Sequence, residues 1–212
     1  MADDRDGLKP AGGIGAIKTA LARTSASTAA EEFLRLVLVP PMGKRRDEWL
    51  QALYDRLHAL EQRIAGFRIE SLADNEAFIS AALQASQAAI RTHERLKLEA
   101  LRNALVNVAA GRSADADTTT FFLGLVDNFS ATHLELLKYF GNRSGFSNDR
   151  RRQFEDRRSI TDPMVLDLNA RGLLEDHRPF VARNRESSNP EVNGAWTVST
   201  LGNKFLQFIS TM

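Results

Sequence analysis

Residues 75–110 contain neither glycine nor proline, and this stretch limits the possible folds of the chain more than any other. Apolar side chains recur along it at the spacing of one helical face. They include Ile79, Leu83, Ile90, Leu101 and Leu105. Asp74 or Asn75 can cap the start and Gly111 follows the end. The pattern predicts a helix of about 54 Å if it is straight, with a bend expected near Thr92, where the apolar residues thin out.

A second predicted helix, residues 44–65, carries apolar side chains at alternating spacings of three and four. These residues are Leu50, Leu53, Leu57, Leu60 and Ile64. A short turn joins this helix to 75–110, so the two are expected to pack antiparallel in a helical hairpin or small bundle covering 27–111. Because a two-helix hairpin leaves one apolar side uncovered, we expect these five residues to support self-association into a homo-oligomer, or binding of an unknown protein partner.

The first 26 residues are rich in glycine, alanine and aspartate, which predicts a flexible leader. The segment AGGIGAIKTA, residues 11–20, resembles a phosphate-binding loop. That loop needs a glycine directly before its lysine, whereas Gly15 lies three residues before Lys18. We therefore predict that the leader binds no nucleotide. A short helix should follow it, beginning near Ser27 or Thr28 and ending at Pro40-Pro41.

The C-terminal part, residues 118–212, shows the element order of a small winged-helix-like α+β module. Helices are predicted in TFFLGLVDNF and in SATHLELLKYFGN, where Ser130 is the N-cap and His133 can help to cap. A polar loop is expected over 143–158. A third helix is expected to start at Asp162-Pro163 and stop at Gly172. Short strands in LLEDHRPF and GAWTVS would flank a loop at 182–194, and TLGNKFLQFI would close the chain as a helix capped by Ser199 or Thr200.

The expected core of this module consists of apolar residues from all of its elements, with Trp196 packing from a wing strand onto the helices. These residues are Phe121, Phe122, Leu125, Leu136, Leu137, Phe140, Val165, Leu168, Leu173, Trp196, Leu201 and Phe205. The whole chain is therefore predicted to be mainly α, with a helical hairpin or bundle followed by the winged-helix-like module.

Sequence-specific DNA binding is not expected. A reading helix offers Arg, Lys, Asn or Gln to base edges, whereas the predicted third helix offers Asp162, Asp167, Asn169 and Arg171. Residues 113–212 hold 12 basic and 13 acidic side chains, so they cannot neutralise many phosphates. Five arginines could contact phosphate weakly, although neighbouring carboxylates favour a solvated loop. They are Arg150, Arg151, Arg152, Arg157 and Arg158. A DNA-binding regulator that dimerises through the hairpin is kept as the alternative function.

Enzyme activity, a metal site and a cofactor are not expected. The chain has no cysteine, and its histidines, at 58, 93, 133 and 177, form no pair at metal-binding helical spacing. No Ser/His/Asp elbow or zinc-protease motif occurs. No apolar run approaches the roughly 20 residues of a membrane span, and the acidic start is unlike a secretory signal. The expected location is therefore the cytoplasm, and membrane activity by residues 10–40 is a weaker alternative.

Several stretches resemble known bacterial proteins, and the similarity covers roughly residues 35–212. These stretches are DEWLQALYDRLHALEQRI, NEAFISAALQASQAAIRTHERLKLEALRNALVN, FSATHLELLKYF and TLGNKFLQFI. They are similar to a widespread group of bacterial helical-plus-winged-helix proteins of uncharacterised function and, more faintly, to the Abi-alpha family linked to abortive phage infection. The resemblance implies an interaction protein in phage defence. It supplies no catalytic motif that could be carried over to this chain.

Overall fold

The computed structural model describes residues 39–112, 115–142, 145, 147–177 and 196–211. This part of the chain is mainly helical, with one small antiparallel sheet of two strands. Its α-helices are α1 (Val39–Arg63), α2 (Glu76–Arg91), α3 (Arg95–Ala109), α4 (Ala116–Asn128), α5 (Ala131–Gly141), α6 (Asn148–Asp156), α7 (Arg158–Ala170) and α8 (Thr200–Phe208). A 3₁₀ helix spans Ile69–Asp74, and the strands are β1 (Leu174–Asp176) and β2 (Trp196–Val198).

Helix α1 begins at Val39, so the prediction that Pro40-Pro41 ends a helix is wrong. The first turn of a helix has N–H groups without intrahelical acceptors, and proline therefore costs little there. The leader, and the helix predicted to start near Ser27, lie outside the described residues. Residues 39–48 of α1 belong to a first unit, and the described residues from Trp49 onward form a second, compact unit. In the first unit α1 carries an exposed ion pair, Lys44–Glu48, at 3.6 Å.

The predicted long helix is two helices, α2 and α3, separated at Thr92–Glu94. Thr92 has an extended backbone, and its side-chain oxygen accepts a hydrogen bond from the Glu94 N–H at 3.1 Å. A threonine that bonds the backbone locally competes with helix continuation, which explains the break at the expected bend. The chain then packs α3 on α2 and buries small side chains of both helices. These are Ala81, Ala85, Ala88, Ala89, Ala100 and Ala104.

Helix α4 runs parallel to α2. The Gln84 side chain donates to the Thr120 carbonyl at 3.1 Å, and Arg91 pairs with Asp127 at 2.5 Å. Both contacts join residues 36 apart, so the two helices advance in the same direction. Asp115 caps α4 by accepting from the Thr118 N–H at 2.7 Å. This hydrogen bond to the charged form lowers the pKa of Asp115.

The expected polar loop at 143–158 is largely helix α6, and α7 begins at Arg158 rather than at Asp162-Pro163. Phe154 is buried beside Tyr139, with ring centroids 5.6 Å apart, and it anchors α6 to α5. The buried Thr161 hydroxyl donates to the Phe154 carbonyl at 3.0 Å and so links α7 to α6. One apolar residue among many charges gives no helical period, so the sequence pattern did not indicate α6.

The predicted end of α7 and the predicted strands are confirmed. Gly172 follows α7 with φ of 74°, a left-handed conformation that glycine adopts without steric cost. Strands β1 and β2 pair antiparallel, with Leu174 opposite Val198 and Asp176 opposite Trp196. The loop predicted at 182–194 lies outside the described residues. Ser199 caps α8 by accepting from the Gly202 N–H at 2.9 Å.

Most of the predicted core of the C-terminal part is confirmed. Trp196 is 1% exposed, so its side chain is buried among the core residues, as expected. Leu201 is half-buried against the core, and the placement of Phe121 in the core is wrong because its side chain is exposed. Leu123 and Val126 of the same helix are also buried, so the core-facing side of α4 extends from Phe122 toward Leu123 and leaves Phe121 on the outer side. Phe122 takes the buried position and contacts Phe205, with ring centroids 5.3 Å apart.

Two buried asparagines of α3 hold the C-terminal end of α8, and sequence reasoning missed them. The Asn103 amide donates to the Ile209 carbonyl at 2.9 Å. The Asn107 amide donates to the carbonyls of Phe208 and Ser210 at 2.9 and 3.1 Å. Carbonyls at a helix end lack intrahelical donors, so these amides satisfy them and fix α8 against α3. None of the helices within the described residues has the length and apolarity to cross a bilayer.

Candidate functional site

The five residues proposed for self-association occupy different environments. Leu53, Leu57 and Leu60 are buried in the core of this chain, and Ile64 is half-buried. Leu50 is 48% exposed, and Tyr54 beside it on α1 is also exposed. The three buried leucines stabilise the monomer fold, so Leu50 is the member of the set that faces solvent.

Leu50, Tyr54 and Leu83 form a surface that we call the α1–α2 apolar rim. Trp49, which precedes Leu50, donates from its ring N–H to the Ser86 hydroxyl at 2.9 Å and joins α1 to α2. Leu83 lies one turn before Ser86 and is 62% exposed. Exposed apolar residues of both helices therefore lie near this contact along the chain: Leu50 and Tyr54 follow Trp49 on α1, and Leu83 precedes Ser86 on α2.

Another side of α1 is polar and faces α3. Arg56 forms a charge-assisted contact with Glu99 and donates to the Asn103 side-chain oxygen. Arg102 pairs with Glu99 at 2.7 Å and lies over the Trp49 ring, with its guanidinium carbon 5.8 Å from the ring centroid. Burial alone would raise the pKa of Glu99, but the hydrogen bond from Arg102 and the charges of both arginines bring that pKa below its usual value.

An open pocket of about 250 Å³ adjoins this polar side, between α1, α3 and the residues after α8. Arg56, Arg63, Asn103 and Thr211 are among its lining residues. Arg56 already binds Glu99 and Asn103, and the Asn103 amide already binds the Ile209 carbonyl. The polar groups at its Arg56 end therefore serve the fold.

The five arginines proposed for phosphate contact lie on α6 and at its junction with α7. Arg152 and Arg157 are exposed, whereas Arg151 and Arg158 are half-buried. Arg150 is on α6, but its side chain is outside the described residues. Because neighbouring helical residues point about 100° apart, the consecutive arginines of α6 do not share one face. The four described arginine side chains, which come from two separate runs in the sequence, therefore do not make one continuous phosphate-binding face.

Helix α7 presents an apolar outer surface, which we call the α7 stripe. It consists of Ser159, Ile160, Pro163, Leu166 and Ala170, all of which are exposed. Ser159, Pro163, Leu166 and Ala170 are spaced four, three and four residues apart and so form one face, with Ile160 at its edge. Ile160 is 44% and Leu166 is 50% exposed. The outer face of this helix therefore carries no arginine, lysine, asparagine or glutamine.

The polar residues expected on this helix bind neighbours within the fold. Asp167 accepts two hydrogen bonds from the Arg171 Nε–H, at 3.1 and 3.2 Å. The Asn169 amide donates to the Leu174 carbonyl at 2.8 Å and so supports the start of β1. Asp162 is half-buried, and burial raises the pKa of its carboxyl. Asp167 and Asn169 therefore stabilise α7 and its connection to the sheet, whereas Asp162 makes no such contact within the described residues.

Ser130, His133 and Asp167 form an arrangement of catalytic residue types that sequence reasoning missed. The Ser130 hydroxyl lies 2.8 Å from His133 Nδ1, and His133 Nε2 lies 3.6 Å from an Asp167 oxygen. However, the Ser130 backbone N–H donates to the same Nδ1 at 3.2 Å, and the His133 N–H donates to the Ser130 hydroxyl at 3.4 Å. These reciprocal bonds make a capping box for α5, which is the helix-capping role predicted for both residues.

His133 also joins α5 to α7. Its ring stacks on Phe129 at a centroid distance of 5.0 Å, and the Arg171 guanidinium lies 5.3 Å from the centroid of the same Phe129 ring. Burial lowers the pKa of His133, with Lys97 and Arg171 acting in the same direction and Asp167 opposing them. Within the described part of the chain, no three His, Asp or Glu side chains are grouped to hold a metal ion.

The α7 stripe was missed because the helix was started too late. In a helix that begins at Arg158, four residues share one face by their spacing: Ser159, Pro163, Leu166 and Ala170. Starting at Asp162-Pro163 removes Ser159 and Ile160 from the helix and leaves only Pro163, Leu166 and Ala170 of the stripe. The boundary depends on the buried Phe154, whose contact with Tyr139 supports α6 and is not visible in the local sequence pattern.

No protein-family model matches the chain, and no curated protein or solved structure is significantly similar to it. The resemblance to bacterial helical-plus-winged-helix proteins and to the Abi-alpha family therefore stays a prediction.

Proposed function

We propose that this chain is a non-enzymatic interaction protein that self-associates through the α1–α2 apolar rim. The resemblance to the Abi-alpha family favours a role in bacterial phage defence. The observation that carries the proposal is the exposure of Leu50, Tyr54 and Leu83 on both sides of one helix–helix contact. Removing apolar surface from water contributes about 25 cal/mol per Å², so a second copy that covers this rim lowers the free energy.

The rim suits a symmetric homo-oligomer. In a twofold interface the same patch serves both copies, so one set of exposed apolar residues on each chain is sufficient. Leucine and tyrosine on helix surfaces can interdigitate with those of an identical rim. On the α3-facing side of α1, the Arg56–Glu99–Arg102 contacts already satisfy the charged groups within one chain. The apolar rim is therefore the part of α1 and α2 that gains most from a partner.

We further propose that residues 118–212 form a winged-helix-like module. The support is the packing order: α7 lies against α5 and β1, β2 returns against α5, and α8 packs on β2 and α3. A winged helix presents one helix and a strand pair on an outer surface. In this chain the corresponding helix is α7, whose outer face is apolar, and this favours a protein as the ligand of the module.

The alternative, a DNA-binding regulator that dimerises through the rim, draws its support from Arg152 and Arg157, which are exposed near the start of α7. Selection from a random duplex library at near-physiological salt tests it. Recovery of an enriched motif that Asn169→Ala or Arg171→Ala weakens would place the regulator first. Weak retention that disappears as salt rises would reflect phosphate contacts alone.

Sedimentation velocity from low to high micromolar concentration tests self-association. We expect the parent chain to shift toward a dimer as concentration rises, and Leu83→Lys to remain monomeric. Leu166→Lys is the matched control, because it places the same charge on an exposed leucine of another helix. A parent chain that stays monomeric, or a dimer that Leu83→Lys leaves unchanged, would contradict the proposal.

A further inference from the structure

We propose that the α7 stripe is a docking surface for an amphipathic helix of another protein that carries carboxylates at one end. The inference rests on the proposed function, because it names the class of partner that the winged-helix-like module binds. It concerns a different surface from the α1–α2 apolar rim.

The shape of the stripe favours a helical partner. Ser159, Pro163 and Ala170 are small or short side chains that let another helix approach closely, and Ile160 and Leu166 project as apolar anchors. The stripe runs from Ser159 to Ala170, about 17 Å at 1.5 Å per residue. This length matches three turns of a docked helix, whose apolar residues at i, i+3, i+4 and i+7 would cover it.

The inner face of α7 is fixed, so the stripe is presented on a rigid support. Val165 and Leu168 are buried, and the Asn169 amide holds β1. The Thr161 hydroxyl donates to carbonyls of Phe154 and Arg157, at 3.0 and 3.3 Å. A partner that binds this face meets a surface whose backbone is already ordered, which lowers the entropic cost of docking.

The charge around the stripe specifies the polarity of the partner. Residues 148–158, at the N-terminal end of α7, hold five arginines and three carboxylates. The first turn of α7 contains no acidic residue, and no side chain caps it. The positive end of the helix dipole therefore adds to the arginine charge. At the other end Arg171 is paired with Asp167, so that end is close to neutral. We expect the complementary helix to be acidic at the end that lies over the N-terminus of α7, which the exposed Arg157 immediately precedes.

Selection from a displayed peptide library tests the proposal. Each 18-residue peptide has leucine fixed at helical i, i+3, i+4 and i+7 positions, with Glu or Lys allowed at flanking positions of both ends. The bait is the full chain carrying Leu83→Lys, so self-association does not compete. We expect recovered peptides to be rich in glutamate at one end only. Their affinity should fall about tenfold with Leu166→Lys or Arg157→Glu in the bait, and Lys-containing peptides should gain affinity for Arg157→Glu.

Melting temperature separates docking from folding. Leu166 and Arg157 are exposed, so neither substitution should change it, and Ile160→Ala provides a milder second test of the stripe. Enrichment of lysine, recovery of no peptide, or affinities that Leu166→Lys and Ile160→Ala leave unchanged would overturn the proposal. Preferential retention of random duplex DNA over the peptides would overturn it too. If the peptides bind but the parent chain sediments as a monomer, then self-association fails while this docking surface stands.

Discussion

Helices α1 and α7 use apolar residues in opposite ways. On α1, Leu53, Leu57 and Leu60 are buried, and Leu50 remains at the edge. On α7, Val165 and Leu168 face the core, while Ile160 and Leu166 face solvent on the outer surface. Helix α1 therefore places most of its leucines in the core of the fold and leaves Leu50 for binding. Helix α7 has apolar residues both on its buried face and on its exposed face.

The difference shows that an apolar residue indicates a role only when its neighbours are known. A leucine series at heptad spacing is satisfied inside one chain when other helices cover it, as the core around α1 does here. A second apolar face on a helix whose first face is already buried has no use in the monomer. Exposure on α7 is therefore a stronger sign of a partner than heptad spacing on α1.

The largest expected effect on stability follows from truncation of the buried Trp196. Trp196→Ala should lower the free energy of unfolding by about 3–5 kcal/mol, because it empties a large site in the core. Urea unfolding followed by circular dichroism measures this. An unchanged midpoint would mean that the wing strand does not hold the helices, and that Trp196 serves a partner instead.

Matched leucine truncations compare the two helices directly. Leu60→Ala on α1 should cost about 2–5 kcal/mol of unfolding free energy, since it leaves a cavity in the core. Leu166→Ala on α7 should stay within about 0.5 kcal/mol, as expected for a surface position. Both values come from the same denaturation experiment. Equal costs would show that the α7 stripe is covered within the monomer and would remove the contrast.

Loss of the hydrogen bonds from Asn107 to the end of α8 should have an intermediate effect on stability. Asn107→Ala removes the donor to the carbonyls of Phe208 and Ser210, and buried unsatisfied groups of this kind cost about 1–3 kcal/mol. Amide hydrogen exchange should quicken in α8 more than in α2. Gln207→Ala, which truncates an exposed amide side chain of α8, is the control. If exchange were equally slow in both variants, α8 would be held by its apolar contacts alone.

The smallest effect is a pH dependence at the contact between α5 and α7. Burial lowers the pKa of His133 below its ordinary value of 6.5, so the unfolded chain binds the proton more readily. The resulting stabilisation is complete above pH 6.5 and is lost as pH falls toward the lowered folded pKa. His133→Gln retains a capping-box acceptor but does not titrate. The variant should therefore lose less stability than the parent between pH 7 and pH 5; parallel losses would refute this assignment.

Much of the local structure could be predicted because its signals are local. The caps at Asn75, Ser130 and Ser199 and the stop at Gly172 each depend on a few neighbouring residues, and all are confirmed. The start of α7 could not be predicted, because it depends on Phe154 being buried against Tyr139, which is distant along the chain.

The candidate surfaces were harder to predict than the helices. The sequence indicated that Leu50, Leu53, Leu57, Leu60 and Ile64 share a helix face, but not that other helices of the chain bury three of them. It also gave no sign that Asn103 and Asn107 would turn inward to bind carbonyls about 100 residues away. Which side of a helix remains exposed is a property of tertiary packing.

Site-specific cross-linking tests most directly the central claim that self-association occurs at the margin of α1 and α2. The chain has no cysteine, so Leu83→Cys and Leu166→Cys each introduce one unique, exposed thiol. A short bifunctional maleimide, added at a concentration where the parent chain is dimeric, should convert Leu83→Cys into a covalent dimer and leave Leu166→Cys largely monomeric. Equal yields at the two positions, or a higher yield at Leu166→Cys, would contradict the account.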